Sequence, residues 1–362
     1  MAKKSRRVAS KFGLRDNNSI NKWRRIDLKE FKLDKPLVIC LSGNASTTEK
    51  DACGFCKRAE RMLELLFKNT GKRGANPLDF VDIMGCSYSY GVDVVVPDMT
   101  PEEKEDFFKE YPTMQDYINK NPDKVQKSEV GFMQDSEVLS IVDNILLPLC
   151  VDDNGSRLPI DSVCKNMSQV SFFTWCHGSM EVVKIFSTLM KRCYELGFEK
   201  DDVAKICNSC MQVSYAPITT VSRIPSVFFA SQQDDFNFDL AMDYPDLNGI
   251  MFKHQAGNFE DDYIFSDRLC VYSSKMMNLM EEERNEHSVA LLDRDPNWSI
   301  MSGHHNADAM SQMMAWALAR VVENSIKNSK SDKYVPMMSL DDMKKELESV
   351  KDAFSPEDLM MK

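Results

Sequence analysis

The chain of 362 residues reads as an α/β protein, a mostly parallel central sheet with helices on both faces. Three observations predict this. Strongly apolar β-type runs recur at residues 37–41, 169–175 and 226–230, as expected of strands buried on two sides. Stretches with apolar residues at helical spacing lie between them. The two kinds of segment alternate along the chain, as βαβ units require.

Taken in order, Leu37-Val38-Ile39-Cys40-Leu41 is a strand that runs into the turn Ser42-Gly43-Asn44-Ala45. A helix follows over residues 52–67, with apolar positions 52, 55, 56, 59, 63 and 66 on one face. Residues 80–84 and 92–96 are further β-type segments. Thr100-Pro101-Glu102-Glu103 carries a capping threonine, a proline in the first turn and acids on the helix dipole, so a helix starts there. Residues 97–135 are otherwise polar and lysine-rich and predict a surface excursion. A helix is expected over 136–147, then the strand at 169–175 and a helix with apolar positions 182, 185, 186, 189, 190 and 193. Strands at 211–215 and 226–230 come next, and a helix over 307–323 closes the domain. Three regions result: a basic, flexible leader (1–34), the α/β domain (35–325) and a charged helical tail (326–362). Residues 97–135 and about 236–297 are insertions into the domain or a cap over it.

Charge and composition narrow the function classes. Residues 1–35 hold 12 Lys and Arg against 4 Asp and Glu. The whole chain carries −11, so the remainder carries −19. An acidic body argues against a nucleic-acid-binding core, though the basic leader could touch RNA, anionic lipid or an import receptor, and any contact with a protein partner falls to that leader or the charged tail. No apolar run reaches the ~18 residues that span a membrane. The first thirty residues contain no apolar signal core, so a cytoplasmic protein is expected. Eleven cysteines, an odd and unpatterned set, predict reduced thiols. Two Cys-x-x-Cys pairs occur, Cys53/Cys56 and Cys207/Cys210. The first lies on the apolar face of a helix, so core or surface thiols are expected there and no metal. No cofactor is expected either.

The segment that carries chemistry is Thr174-Trp175-Cys176-His177-Gly178, where a buried strand turns directly into a helix with a nucleophilic residue at the turn. This resembles the nucleophile elbow of the α/β-hydrolase superfamily, small-x-nucleophile-x-small. Strand and helix approach each other there, so the positions two before and two after the nucleophile must be small. Gly178 meets that requirement. Thr174 stands where glycine is usual. A thiolate at a helix N-terminus is also favoured by the dipole.

The resemblance implies a chain order of nucleophile, acid, histidine. The acid follows a later strand, and Asp234, with Asp235 as alternative, follows residues 226–230. The histidine precedes the last core helix, where His304 stands, with His305 beside it; His254 is the competitor by its spacing from Asp234. The Leu41-Ser42-Gly43-Asn44-Ala45 turn matches the oxyanion loop. Backbone N–H groups near Asn44 and at His177 would then hold the developing charge. Cysteine nucleophiles on this fold resemble those of dienelactone hydrolases and of some acyltransferases and polyester synthases. The implied activity is therefore hydrolysis of a small-molecule ester or thioester through a Cys-His-Asp triad and a covalent acyl-enzyme. Acyl transfer on the same fold and a non-catalytic, hydrolase-like scaffold or binding protein are the alternatives.

Overall fold

The computed structural model describes residues 11–16, 23–43, 46–69, 76–94, 99–112, 114–133, 135–215, 222–231, 289–293, 311–339, 342–343 and 345–346. Among these, β3 (Leu37–Leu41), β4 (Asp82–Cys86), β7 (Val170–Trp175), β8 (Met211–Tyr215), β9 (Ser226–Ser231) and β10 (Val289–Asp293) form the parallel body of a sheet. Two strands from the basic N-terminal region, β1 (Phe12–Arg15) and β2 (Trp23–Arg25), extend it antiparallel beyond β4. The order across the eight strands is β10-β9-β8-β7-β3-β4-β1-β2. This is the mostly parallel α/β sheet that the apolar runs predict.

Period-two alternation assigns each strand residue to a face. Leu37, Ile39, Leu41, Val170 and Phe172 point into one apolar layer. Val38, Cys40 and Phe173 point into the other. The first layer is closed by α4 (Asp135–Ile141), α5 (Ile160–Met167), α6 (Gly178–Glu195) and α7 (Lys200–Ser209). The second is closed by α1 (Glu49–Asn69) and by the last helix, α8 (Ser311–Lys330). The two phenylalanines of β7 show the division: Phe172 meets Phe186 edge-on at 5.4 Å, and Phe173 stacks on Phe55 at 4.9 Å.

Several elements differ from the sequence reading. The leader is not a free tail throughout, because Phe12 and Leu14 are buried and place β1 in the sheet. Arg15 is also buried, its charge met by Glu60 at 2.7 Å. The excursion after β4 is more structured than its polarity suggests. Residues 97–135 hold α2 (Pro101–Glu110), α3 (Met114–Lys120) and β6 (Val125–Phe132), and β6 pairs antiparallel with β5 (Ser89–Val94), which overlaps the β-type segment expected at 92–96, as a separate small sheet. Thr100 does cap α2, in a reciprocal box with Glu103. The helix expected at 136–147 is α4 followed by a π-turn over 142–146 and a 3₁₀ turn over 147–150, consistent with Pro148 interrupting the helical bonding. The charged tail is partly core, since α8 runs to Lys330 and Met343 is fully buried against its layer.

Cys56, Cys207 and Cys210 are buried, and Cys53 is half-buried; all four are free thiols. Among the described residues no group of three or more His, Cys, Asp or Glu is arranged to hold a metal. No described helix is long and apolar enough to cross a membrane.

Candidate active site

The carboxyl ends of parallel strands share one edge of a sheet, where open α/β sheets hold their ligands. On this edge β7 ends at Trp175, and the chain turns through Cys176 and His177 into α6. Cys176 has φ +51°, and it is the single non-glycine residue with positive φ among the described residues. That conformation costs an L-residue roughly 1–2 kcal/mol, so the surroundings must impose it. They do so through two contacts. The Cys176 carbonyl accepts bonds from the Ser179 N–H at 3.1 Å and the Ser179 hydroxyl at 2.8 Å, starting the helix at once. Gly178 meets the end of β3, where a Cβ would lie 2.0 Å from the Leu41 carbonyl oxygen. Only glycine allows strand and helix to come this close.

Thr174, where a glycine was expected, is fully buried inside the sheet. Its Oγ1 accepts a bond from Gln212 Nε2 at 2.9 Å, and Gln212 Oε1 accepts in turn from Ser222 and Ser226. A polar link thus joins β7 to β8 at Thr174.

The turn after β3 lies against the elbow. A Cβ on Gly43 would be 3.4 Å from Cys176 Cβ and 3.5 Å from the Trp175 ring. The Ser46 N–H donates to the Gly43 carbonyl at 3.0 Å and closes this turn. Cys176 is 5% exposed.

Beneath the elbow, α6 carries a charged cluster that sequence reasoning missed. Glu181 is completely buried, with Oε1 3.0 Å from His177 Nε2 and accepting from the Met133 N–H at 3.0 Å. Its Oε2 lies 3.3 Å from Lys184 Nζ, and Lys184 also donates to the Met133 carbonyl at 2.9 Å. Burial pushes the Glu181 carboxyl up, but Lys184, His177 and the Met133 amide together outweigh it and hold the carboxyl below its ordinary value. Asp135, which feels both Lys184 and Glu181, is pushed up to about 6, chiefly by burial. Periodicity could not have shown this cluster: 177, 181 and 184 share a face with Thr188 and Lys191, away from the apolar positions 182, 185, 186, 189 and 193, and such a face reads as solvated.

The structure therefore brings Cys176 and His177 to the edge where β3 delivers its turn. Asn44, Asp234, Asp235, His254, His304 and His305 lie outside the described residues. The described strands do show where the chain leaves the sheet: β9 ends at Ser231 and β10 at Asp293, on the same edge as Cys176. No protein-family model matches the chain, and no curated protein matches it in sequence.

Proposed function

We propose that this chain is a hydrolase of the α/β-hydrolase type that cleaves an ester or thioester through a covalent acyl-enzyme on Cys176. The observation that carries the reading is the left-handed Cys176 between β7 and α6, made possible by Gly178 against Leu41. A strained, helix-leading nucleophile of this kind is what the elbow needs. The strand order supports it as well. Asp234 follows the end of β9 by three residues, and His304 and His305 follow β10, whereas His254 precedes β10. This favours His304 or His305 as the base and Asp234, or its neighbour Asp235, as its partner.

In the proposed reaction the imidazole takes the Cys176 thiol proton as sulfur attacks the acyl carbon. The carbonyl electrons move onto oxygen, and backbone N–H groups of His177 and the 42–45 turn stabilise the oxyanion. Collapse expels the alcohol or thiol, which receives the proton from the imidazolium. Water, deprotonated by the same imidazole, then releases the acid and restores the thiol. Acyl transfer differs only in the acceptor of the second step.

The test is turnover of p-nitrophenyl esters and acyl thioesters of graded chain length, with the intact protein's mass followed during the reaction. The expected result is an acyl adduct on wild-type protein, none on Cys176→Ala, and loss of turnover in His304→Ala or His305→Ala. Unchanged turnover in Cys176→Ala would overturn the reading, and a scaffold role would take its place if wild type never acylates.

A further inference from the structure

The geometry points to Tyr88 as a positioning residue that aims the Gly43 N–H at the oxyanion, an inference that rests on the acyl-enzyme reading above. Tyr88 leaves the carboxyl end of β4 and is 2% exposed. Its phenol Oη donates to the Ser42 carbonyl at 2.7 Å, and its backbone N–H donates to the Ser46 carbonyl at 2.9 Å. It therefore holds both ends of the turn that lies against Cys176.

The consequence follows from the peptide plane. The Ser42 carbonyl and the Gly43 N–H belong to one rigid, trans unit, so they point in opposite directions and turn together. A phenol bonded to the carbonyl fixes the direction of the N–H. Gly43 is buried, and among the described residues its N–H donates to no hydrogen-bond acceptor. Buried backbone donors are rarely left so. Its Cα stands close to Cys176, as the 3.4 Å Cβ distance shows. A buried donor held beside the proposed nucleophile is suited to charge that exists only during reaction. The donor of this turn is thus Gly43, one residue before Asn44.

The phenol is equipped to stay a donor. Burial foremost, then the charges of Glu181, Cys86, Cys176 and Glu137, raise it well above the ordinary tyrosine range, so it remains protonated. The aromatic ring also fills space between the turn and the apolar layer, and Tyr88→Phe keeps that packing while removing the one bond.

Two reactions of the same sulfur separate positioning from packing. Alkylation by iodoacetamide displaces iodide at a saturated carbon and forms no oxyanion. Acylation by p-nitrophenyl acetate does form one. Both rates are measured at Cys176 in wild type and in Tyr88→Phe, with peptide mass mapping and Cys176→Ala as the blank. The expected result is acylation slowed about 10-fold or more, since removal of a whole oxyanion donor costs roughly 10²–10³, with alkylation changed less than twofold. Equal slowing of both reactions, or no slowing of either, overturns the role of Tyr88. Alkylation of wild-type Cys176 without any acylation overturns the hydrolase reading itself, and the positioning role with it.

Discussion

A methyl group on Gly178 would stand 2.0 Å from the carbonyl oxygen of Leu41, so the first residue of α6 and the last of β3 touch through backbone alone. Nothing flexible can give way at this contact. Gly178→Ala must push the helix off the strand, and a loss of at least about 3 kcal/mol is expected, at the upper end of overpacking costs. Denaturant unfolding checks it, with Gly197→Ala as the comparison. Gly197 has positive φ but open space around it, so its loss should be smaller, set by backbone strain alone.

The left-handed backbone at Cys176 reverses a familiar order. Glycine ordinarily destabilises relative to alanine, but here it relieves a conformation costing roughly 1–2 kcal/mol. Cys176→Gly should therefore be more stable than Cys176→Ala by about 1 kcal/mol. The two variants lack the same sulfur and differ in one methyl. Thermal unfolding of the pair is the measurement, and an alanine variant equal to or more stable than the glycine one would contradict the strained elbow.

Glu181 and Lys184 predict strong coupling. Lys184→Met alone leaves a carboxylate buried without its cation, a loss of roughly 3–5 kcal/mol. Glu181→Gln alone leaves the cation. The double variant removes both charges, so its loss should be smaller than the sum of the single losses by more than about 1 kcal/mol. A double-mutant cycle by chemical denaturation gives the coupling directly, and additive losses would show that the two charges do not depend on each other.

Asp135 sets a pH dependence of definite sign. Its folded value of about 6 lies above the ordinary 3.8. Between those values the native state holds a proton that the unfolded chain has released. This group's contribution to stability is full below pH 3.8 and is lost as pH rises through about 6. Asp135→Asn should remove that component, raising the melting temperature at pH 7 while leaving pH 4 nearly unchanged. Melting curves from pH 4 to 7.5 decide it, with Glu181 contributing in the opposite sense at the acid end.

The parallel sheet was legible because buried strands such as Leu37–Leu41 have few alternatives, and so was the strand-to-helix turn at Cys176-His177-Gly178, because an apolar run there meets a helical one. Other parts were hidden for physical reasons. Phe12 and Leu14 are two apolar residues among many charges, too short a pattern to announce a strand, and pairing with β4 decides their state. The strand Val125–Phe132 gains its partner only from β5, a pairing that a polar sequence does not advertise. Tyr88 reads as one aromatic residue near a strand, since its role depends on a carbonyl 46 positions earlier. Thr174 departs from the pattern of the resemblance, and its bond with Gln212 on the neighbouring strand could not be read from either residue alone.

Among the described residues the sheet ends, beyond β1, on Trp23–Arg25, and the last two are exposed arginines. Arg25 also pairs with Glu49 at the start of α1. An edge this short and this cationic offers an approaching chain few open backbone groups, and it repels a second copy of itself. Arg24 and Arg25 thus work against pairing at this border. Trimming the chain to begin after Arg25 would strip two strands and leave the largely buried β4 as the new border of the described sheet. The predicted product self-associates edge to edge.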